Sequence, residues 1–186
     1  MDKRIEKTVH RLQEALLLLI REKPLVDITV SELCRYAGVN RGTFYKHFSN
    51  VHDVFDLYFG RIIADLEQSY HAPLNVANYN VTHIEKDTIR IFHHVKQFEA
   101  FYRIALDPNM PMTYYHQLFS FIKQLMEETI ASISDEHQRR FQASTSANMM
   151  MGMIMQWHEE DYCLTPAELN HYFFQILRAN EERFYE

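Results

Sequence analysis

Between positions 29 and 47 the chain gathers side chains that read and grip anions. Arg41 and Thr43 open a short helical stretch. An arginine fork matches O6 and N7 of guanine, and a threonine methyl matches the methyl of thymine. Gly42, between them, lets the backbone approach whatever the pair touches. Tyr45, Lys46 and His47 follow, suited to phosphate oxygens. Upstream, Thr29 and Ser31 stand where a helix begins, so each offers a hydroxyl beside free backbone N–H groups, a second grip on phosphate. The chemistry available here is recognition of a polyanion through charge-assisted hydrogen bonds.

The charge distribution agrees. From Glu32 to Asp53 no acidic residue intervenes, while Arg35, Arg41, Lys46, His47 and His52 fall inside that window. Residues 1–48 hold nine Lys/Arg against six Asp/Glu, a balance of +3; residues 49–186 hold ten against nineteen, a balance of −9. A net charge of −6 argues against a nonspecific nucleic-acid coat. An acid-free basic window on an acidic chain is instead a local footprint for an anion.

The elements that must position these residues are helical. Only four Gly and five Pro in 186 residues leave few turns, which favours long helices over many short strands and gives an all-α fold class. Ile5, Val9, Leu12, Leu16 and Ile20 mark one face of a helix over residues 3–22, stopped by Pro24. Thr29 and Glu32 read as a capping box, and Gly38 as a left-handed C-terminal cap. Asn40 caps a second short helix over residues 41–47. Asn50 and Asp53 open a longer one to about residue 70, carried by Val51, Phe55, Tyr58, Ile62 and Leu66. Residues 71–81 read as a loop. Thr82 and Glu85 then form a further capping box for a helix to about residue 97, with a kinked continuation over 99–106. The run 107–111 breaks the chain. Tyr115, Leu118, Ile122, Leu125, Thr129 and Ile133 mark a long helix; Ser134 caps the next, over 135–161. Thr165-Pro166-Ala167-Glu168 is the sharpest start signal, with Pro at the first helical position.

Two helices of about eight residues cannot stand alone. Leu33, Ala37, Val39, Phe44 and Phe48 are the apolar positions that lock them to the first and fourth helices. This is a helix-turn-helix, whose second helix presents its N-terminal residues to a major groove. The residues also fit a plain helical hairpin with a solvated basic face, and their physics alone leaves the two readings open.

Residues 28–48, with Ile28-Thr29-Val30, Glu32-Leu33, Ala37-Gly38-Val39, Gly42-Thr43-Phe44-Tyr45 and His47-Phe48 at this spacing, closely resemble the signature of the TetR family of bacterial transcriptional regulators, over roughly residues 4–66. The resemblance implies base contacts from Arg41, Gly42 and Thr43, and phosphate contacts from Thr29, Ser31, Tyr45, Lys46 and His47. It implies a helix-turn-helix domain at 1–50 and a helical effector and dimerisation domain at 51–186, the two linked through the fourth helix. Chain by chain, such a regulator would pair as a homodimer through its last two long helices, and its partner would be double-stranded DNA carrying an inverted repeat, since two heads on a dyad read a palindrome. One departure stands out. The family places a phosphate-gripping Lys at the start of the fourth helix, where this chain has Val51. His52 beside it substitutes for that lysine only in part. Modest, salt-sensitive DNA binding is expected. Gly152, Trp157 and residues 165–168 are similar to the ending of the group that includes dihydroxyacetone-kinase-operon regulators.

In the body, Ser144, Asn148 and Gly152 recur every four residues as a strip for close helix approach, with Met151, Met155, Phe173, Ile176 and Leu177 as adaptable apolar contacts. They fit a dimer surface or the protomer core. Phe92, Phe98, Phe101, Tyr102, Phe119 and Ile122 likewise fit an effector pocket or plain core. His93 and His94 are adjacent and therefore point apart, and residues 158–161 lack a second ligand pair, so no metal or other cofactor is expected. No phosphate loop, nucleophile elbow or paired carboxylates point to an enzyme. Cys34 and Cys163 stand alone, and the longest apolar run, Ala15 to Ile20, is six residues. Both features fit a reduced cytoplasmic protein without a membrane span or a leader. The expected function is a transcriptional repressor of neighbouring genes relieved by a small effector. The alternative is a TetR-like protein-binding co-regulator whose DNA contact is weak or lost.

Overall fold

The computed structural model describes residues 3–71 and 90–183, with side chains over 4–71 and 90–176. They form helices and connecting turns, without a strand among the described residues: α1 (Lys3–Ile20), a single 3₁₀ turn (Leu25–Asp27), α2 (Val30–Ala37), α3 (Arg41–Phe44), α4 (Val51–His71), α5 (Ile91–Gln97), α6 (Glu99–Ala105), α7 (Met112–Thr129), α8 (Glu136–Glu159) and α9 (Pro166–Arg183). The all-helical expectation agrees with this architecture. The expected loop over 72–81 and the Thr82–Glu85 capping box lie outside the described residues. No described helix is long and apolar enough to cross a membrane.

The described residues divide between two compact units. The first draws on positions 1–64 and 107–111, the second on 65–106 and 112–186. In the first, α1 buries Val9, Leu12, Ala15, Leu16 and Leu19, while Ile5 and Ile20 are half-buried. α1 packs on α2, and α2 on α3. Leu33, Cys34, Ala37, Phe44 and Phe48 of the short helices and the turn after them are buried, as are Val51, Val54, Phe55 and Phe59 of the first unit's share of α4. Phe44 and Phe48 stack with ring centroids 5.7 Å apart. Complete burial of a side chain like Phe44 contributes about 1.5–3 kcal/mol, which is how helices this short persist.

In the second unit α7 packs on α8, and α5 on α9. Tyr114, Leu118, Ile122 and Leu125 of α7 form one buried face, and Ala143, Ala147, Met150, Met151, Ile154 and Trp157 of α8 another. The short side chains at 143 and 147 bring the helices close.

Local caps set most boundaries. Thr29 Oγ1 accepts the Glu32 N–H at 3.2 Å, but the Glu32 carboxylate pairs with the Lys23 ammonium and does not reach back, so only half of that box forms. At α4 both halves form: Asn50 Oδ1 accepts the Asp53 N–H at 3.1 Å and Asp53 Oδ2 accepts the Asn50 N–H at 3.3 Å. At α9 the box is also complete, with Thr165 N–H donating to Glu168 at 2.7 Å and Glu168 N–H to Thr165 Oγ1 at 3.3 Å. Two expectations need correction. The cap of α8 is Asp135, which accepts the Gln138 N–H at 3.0 Å, one residue past Ser134. And α3 ends at Phe44; residues 45–47 form a turn in which His47 N–H donates to Phe44 O at 2.9 Å.

Candidate nucleic-acid interface

Gly38 makes the turn between α2 and α3. Its φ of 60° and ψ of 39° are left-handed, its N–H donates to Arg35 O and the Val39 N–H to Cys34 O. These are the two bonds of a Schellman cap. Arg11 of α1 adds a third, from Nη2 to Gly38 O at 2.9 Å. A Cβ at Gly38 would stand 2.5 Å from that Nη2. Asn40 then starts α3, its Oδ1 accepting the Gly42 N–H at 2.7 Å. A Cβ at Gly42 would lie 3.2 Å from the same Oδ1, so glycine here also serves the cap.

Burial sorts α3 and the turn after it. Phe44 and Phe48 point inward; Arg41, Gly42, Tyr45, Lys46 and His47 are exposed, and Thr43 is half-buried. Thr29 and Ser31 are exposed at the start of α2. Thr29 Oγ1 accepts a bond within its cap, which leaves its O–H free to donate outward. The Arg41 guanidinium lies 5.9 Å from the centroid of the Tyr45 ring, a loose cation–π contact that holds the arginine along the exposed side. Arg35 and Tyr36, exposed on α2 with the guanidinium 5.0 Å from the ring centroid, extend this surface. The acid-free window carried Arg35 as a charge; nothing in the sequence singled out Tyr36.

The carboxylates that flank the window are occupied. Hydrogen bonding to Lys23 holds the Glu32 carboxyl below its ordinary value, so Glu32 stays ionised within an ion pair. Asp53 accepts the Ser49 N–H at 2.6 Å as well as that of Asn50. Neither of the two carboxylates that bracket the window in sequence is loose. Val51 is buried among the apolar residues of the first unit and His52 is half-buried. The valine serves the core, and a lysine there would have to abandon that packing.

In the second unit Phe92, Phe101, Tyr102 and Ile122 are fully buried, and Phe98 and Phe119 half-buried. Their rings pack edge to face, Phe101 with Tyr102 at 5.2 Å and Phe92 with Trp157 at 6.2 Å. Neither of two recesses described in this unit is lined by any of the six: one of about 370 Å³ is lined by Ser69, Arg90, His93, His94 and Gln97, another by Ala167, Glu168, His171 and Tyr172. Of the strip on α8, Asn148 and Gly152 are exposed and Ser144 and Met155 half-buried, whereas Met151 is buried within the protomer. A Cβ on Gly152 would meet nothing within 4 Å. On α9 Phe173 is buried, Ile176 is exposed, and the Leu177 side chain lies outside those described. Among the described residues no group of three or more His, Cys, Asp or Glu is placed to hold a metal ion. Cys34 and Cys163 are both free thiols.

Two family models match the chain: bacterial regulatory proteins of the tetR family over residues 14–56, and a transcriptional regulator C-terminal region over residues 82–179. The HTH-type transcriptional regulator YxbF of Bacillus subtilis (strain 168) is 21% identical over 179 residues; the match covers 95% of this chain but 46% of YxbF, so the chain spans about half the length of that relative. NalD, the secondary repressor of the MexAB-OprM multidrug efflux pump in Pseudomonas aeruginosa, superposes with a TM-score of 0.70 at 20% identity, over 92% of this chain and 96% of NalD. The dihydroxyacetone kinase operon activator DhaS superposes with a TM-score of 0.64 at 16% identity, over 93% of this chain and 95% of DhaS. Likeness at these identities speaks for the fold.

Proposed function

The chain belongs to the TetR family of bacterial regulatory proteins, transcription factors that bind DNA and are not enzymes, and on that premise we propose that it is a repressor of neighbouring genes that grips an inverted repeat as a homodimer and is relieved by a small effector. The observation that carries the DNA contact is the exposed side of residues 41–47, cationic and free of acids, standing on buried Phe44 and Phe48. In this reading Arg41, Gly42 and Thr43 touch base edges, while Thr29, Ser31, Tyr45, Lys46 and His47 touch phosphates. Residues 1–50 serve as the DNA-binding domain and 51–186 as the effector and dimerisation domain.

Pairing of two copies along α8 and α9 supplies the second head. Gly152 supports this: with open space around its Cβ position, none of the described residues requires glycine there. A mid-helix glycine costs roughly 0.5–1 kcal/mol relative to alanine, a cost that close approach of a partner helix would explain. On α8 Ser144, Asn148 and Met155 are exposed or half-buried, as is Ile176 on α9, whereas Met151 and Phe173 are buried. An effector favouring one spacing of the two heads would shift the population toward the form that binds or releases DNA.

A mobility-shift titration on the DNA upstream of its own gene tests the reading. Arg41→Ala and Tyr45→Ala should each weaken binding by about 1–3 kcal/mol. Unchanged affinity in both variants removes it. A second reading, a co-regulator that binds a protein and has weak or no hold on DNA, draws on buried Val51 and the net charge of −6. Selection from genomic DNA that enriches no sequence, beside a pull-down that recovers a defined partner, would prefer it.

A further inference from the structure

We propose that the recess beside α5 is the effector site, and that it takes a small organic anion carrying a carboxylate or phosphate group. The inference rests on the effector-controlled reading above and adds to it a place and a ligand chemistry. The recess holds about 370 Å³ within the second unit, at the small end of the range for metabolite sites. Positions 90, 93, 94 and 97 repeat at helical spacing, so Arg90, His93, His94 and Gln97 share one face of α5, opposite to buried Ile91, Phe92 and Val95. Ser69 of α4 faces them.

Every one of these five side chains carries a hydrogen-bond donor and none is a carboxylate; the one permanent charge is the Arg90 guanidinium. Lys96 and Arg103 meet Glu99, Arg139 meets Glu127 and Arg140 meets Glu136, whereas Arg90 meets no carboxylate among the described residues. The inner wall is fixed. His94 is 2% exposed, with Nδ1 3.1 Å from the Tyr102 hydroxyl and Nε2 3.5 Å from Asp65 Oδ1. Burial pushes the Tyr102 phenol far up, so the hydroxyl beside Nδ1 stays neutral. A recess lined by a guanidinium, two imidazoles, an amide and a hydroxyl, with no carboxylate among these five, favours an anion; an apolar effector would leave the Arg90 guanidinium facing it without compensation.

Calorimetric titration of the full chain tests this with glycerol 3-phosphate, citrate and inorganic phosphate, with glycerol as the uncharged control, at an ionic strength held constant with KCl. At least one anion should bind saturably, glycerol should not, and Arg90→Gln and His93→Ala should each weaken the binding by about tenfold or more at unchanged helical content. No saturable binding by any of the three anions, or binding that Arg90→Gln leaves intact, overturns the site. The same anion is then added to the mobility-shift titration. A change in DNA affinity that Arg90→Gln abolishes supports both the site and the effector reading. Arg90-dependent binding without any change in DNA affinity leaves the site standing and overturns the effector reading. Release of DNA by an uncharged ligand, indifferent to Arg90→Gln, keeps the effector reading and overturns the anion assignment.

Discussion

The turn from α2 to α3 and the corner from α8 to α9 use the same hydrogen-bond pattern with opposite chemistry. At the first, Gly38 takes the left-handed position, and the two cap bonds run from Gly38 to Arg35 and from Val39 to Cys34. At the second, Asp161 takes that position at φ 57°, with bonds from Asp161 N–H to His158 O and from Tyr162 N–H to Trp157 O, and Tyr162 follows at φ 54°. Two residues with side chains in the left-handed region cost roughly 1–2 kcal/mol each. The corner holds them with distant charges: Arg103 Nη1 donates to Asp161 Oδ1 at 2.5 Å, Lys96 Nζ to Tyr162 O at 3.1 Å, and the Arg103 guanidinium lies over the Tyr162 ring at 4.8 Å. On the proposed reading the first turn faces phosphates, and a carboxylate clamp on its surface would repel them. Glycine makes the same bend with no side chain at all, whereas the corner relies on charge.

Installing a Cβ at Gly38 tests that difference most severely. Gly38→Ala should cost the first unit about 1–2 kcal/mol for the left-handed alanine, and displace Arg11 from its 2.9 Å bond to the Gly38 carbonyl. Amide hydrogen exchange over α2 and α3 reads it, since the single tryptophan, Trp157, belongs to the other unit. Undiminished protection of those amides would mean that the glycine is not what makes the turn.

The corner answers to a change of opposite sign. Tyr162 is 2% exposed, and its hydroxyl is buried with no hydrogen-bond partner among the described residues. Burial also raises its phenol far above the ordinary range, so it remains neutral. Removing that oxygen keeps the ring under Arg103 and beside Trp157, 5.1 Å away. Tyr162→Phe should therefore stabilise the second unit by about 1 kcal/mol, seen as a higher urea midpoint in Trp157 emission. A lower midpoint would show that the hydroxyl contributes to the corner after all.

What the sequence discloses follows the reach of each interaction. Thr29, Gly38, Asn40, Asn50 with Asp53, and Thr165 with Glu168 act on backbone within five residues, and their chemistry is readable from residue type alone. Ser134 and Asp135 are both good caps, so only geometry separates them. The early end of α3 is not announced by residue type, because Phe44 and Phe48 stand four apart and both face inward, as a continuing helix would place them. The corner is illegible in advance, because Arg103 and Asp161 lie 58 positions apart and residues 158–161 taken alone look like a solvated helix end. The α5 recess is hidden for a related reason. His93 and His94 are a poor metal pair, as the spacing says, but their role depends on Ser69 from another helix and on Tyr102 behind them.

The smallest expected effect separates the two regions by pH. In the corner the Glu99 carboxyl is held below its ordinary value of 4.5, first by its hydrogen bond to Lys96 and then by that to Arg103. A carboxylate whose folded pKa is depressed contributes stability that is fully present above the unfolded value and is lost as pH falls through the folded one. Half-exposed pairs are screened, so the contribution is about 0.2–1 kcal/mol. Lys96 also lies 5.8 Å from the Trp157 ring centroid, so emission from that ring reports the pair directly. The gap in urea midpoint between the wild type and Glu99→Gln should hold steady near neutral pH and close as pH drops below 4.5. The same titration on Glu32→Gln, whose carboxyl is lowered by Lys23 in the first unit, should leave the Trp157 signal unmoved and alter only amide exchange in α2. If the Glu99 gap instead persists unchanged into acid, the corner is held by packing of Tyr162 and Trp157, and its charges are incidental to the bend.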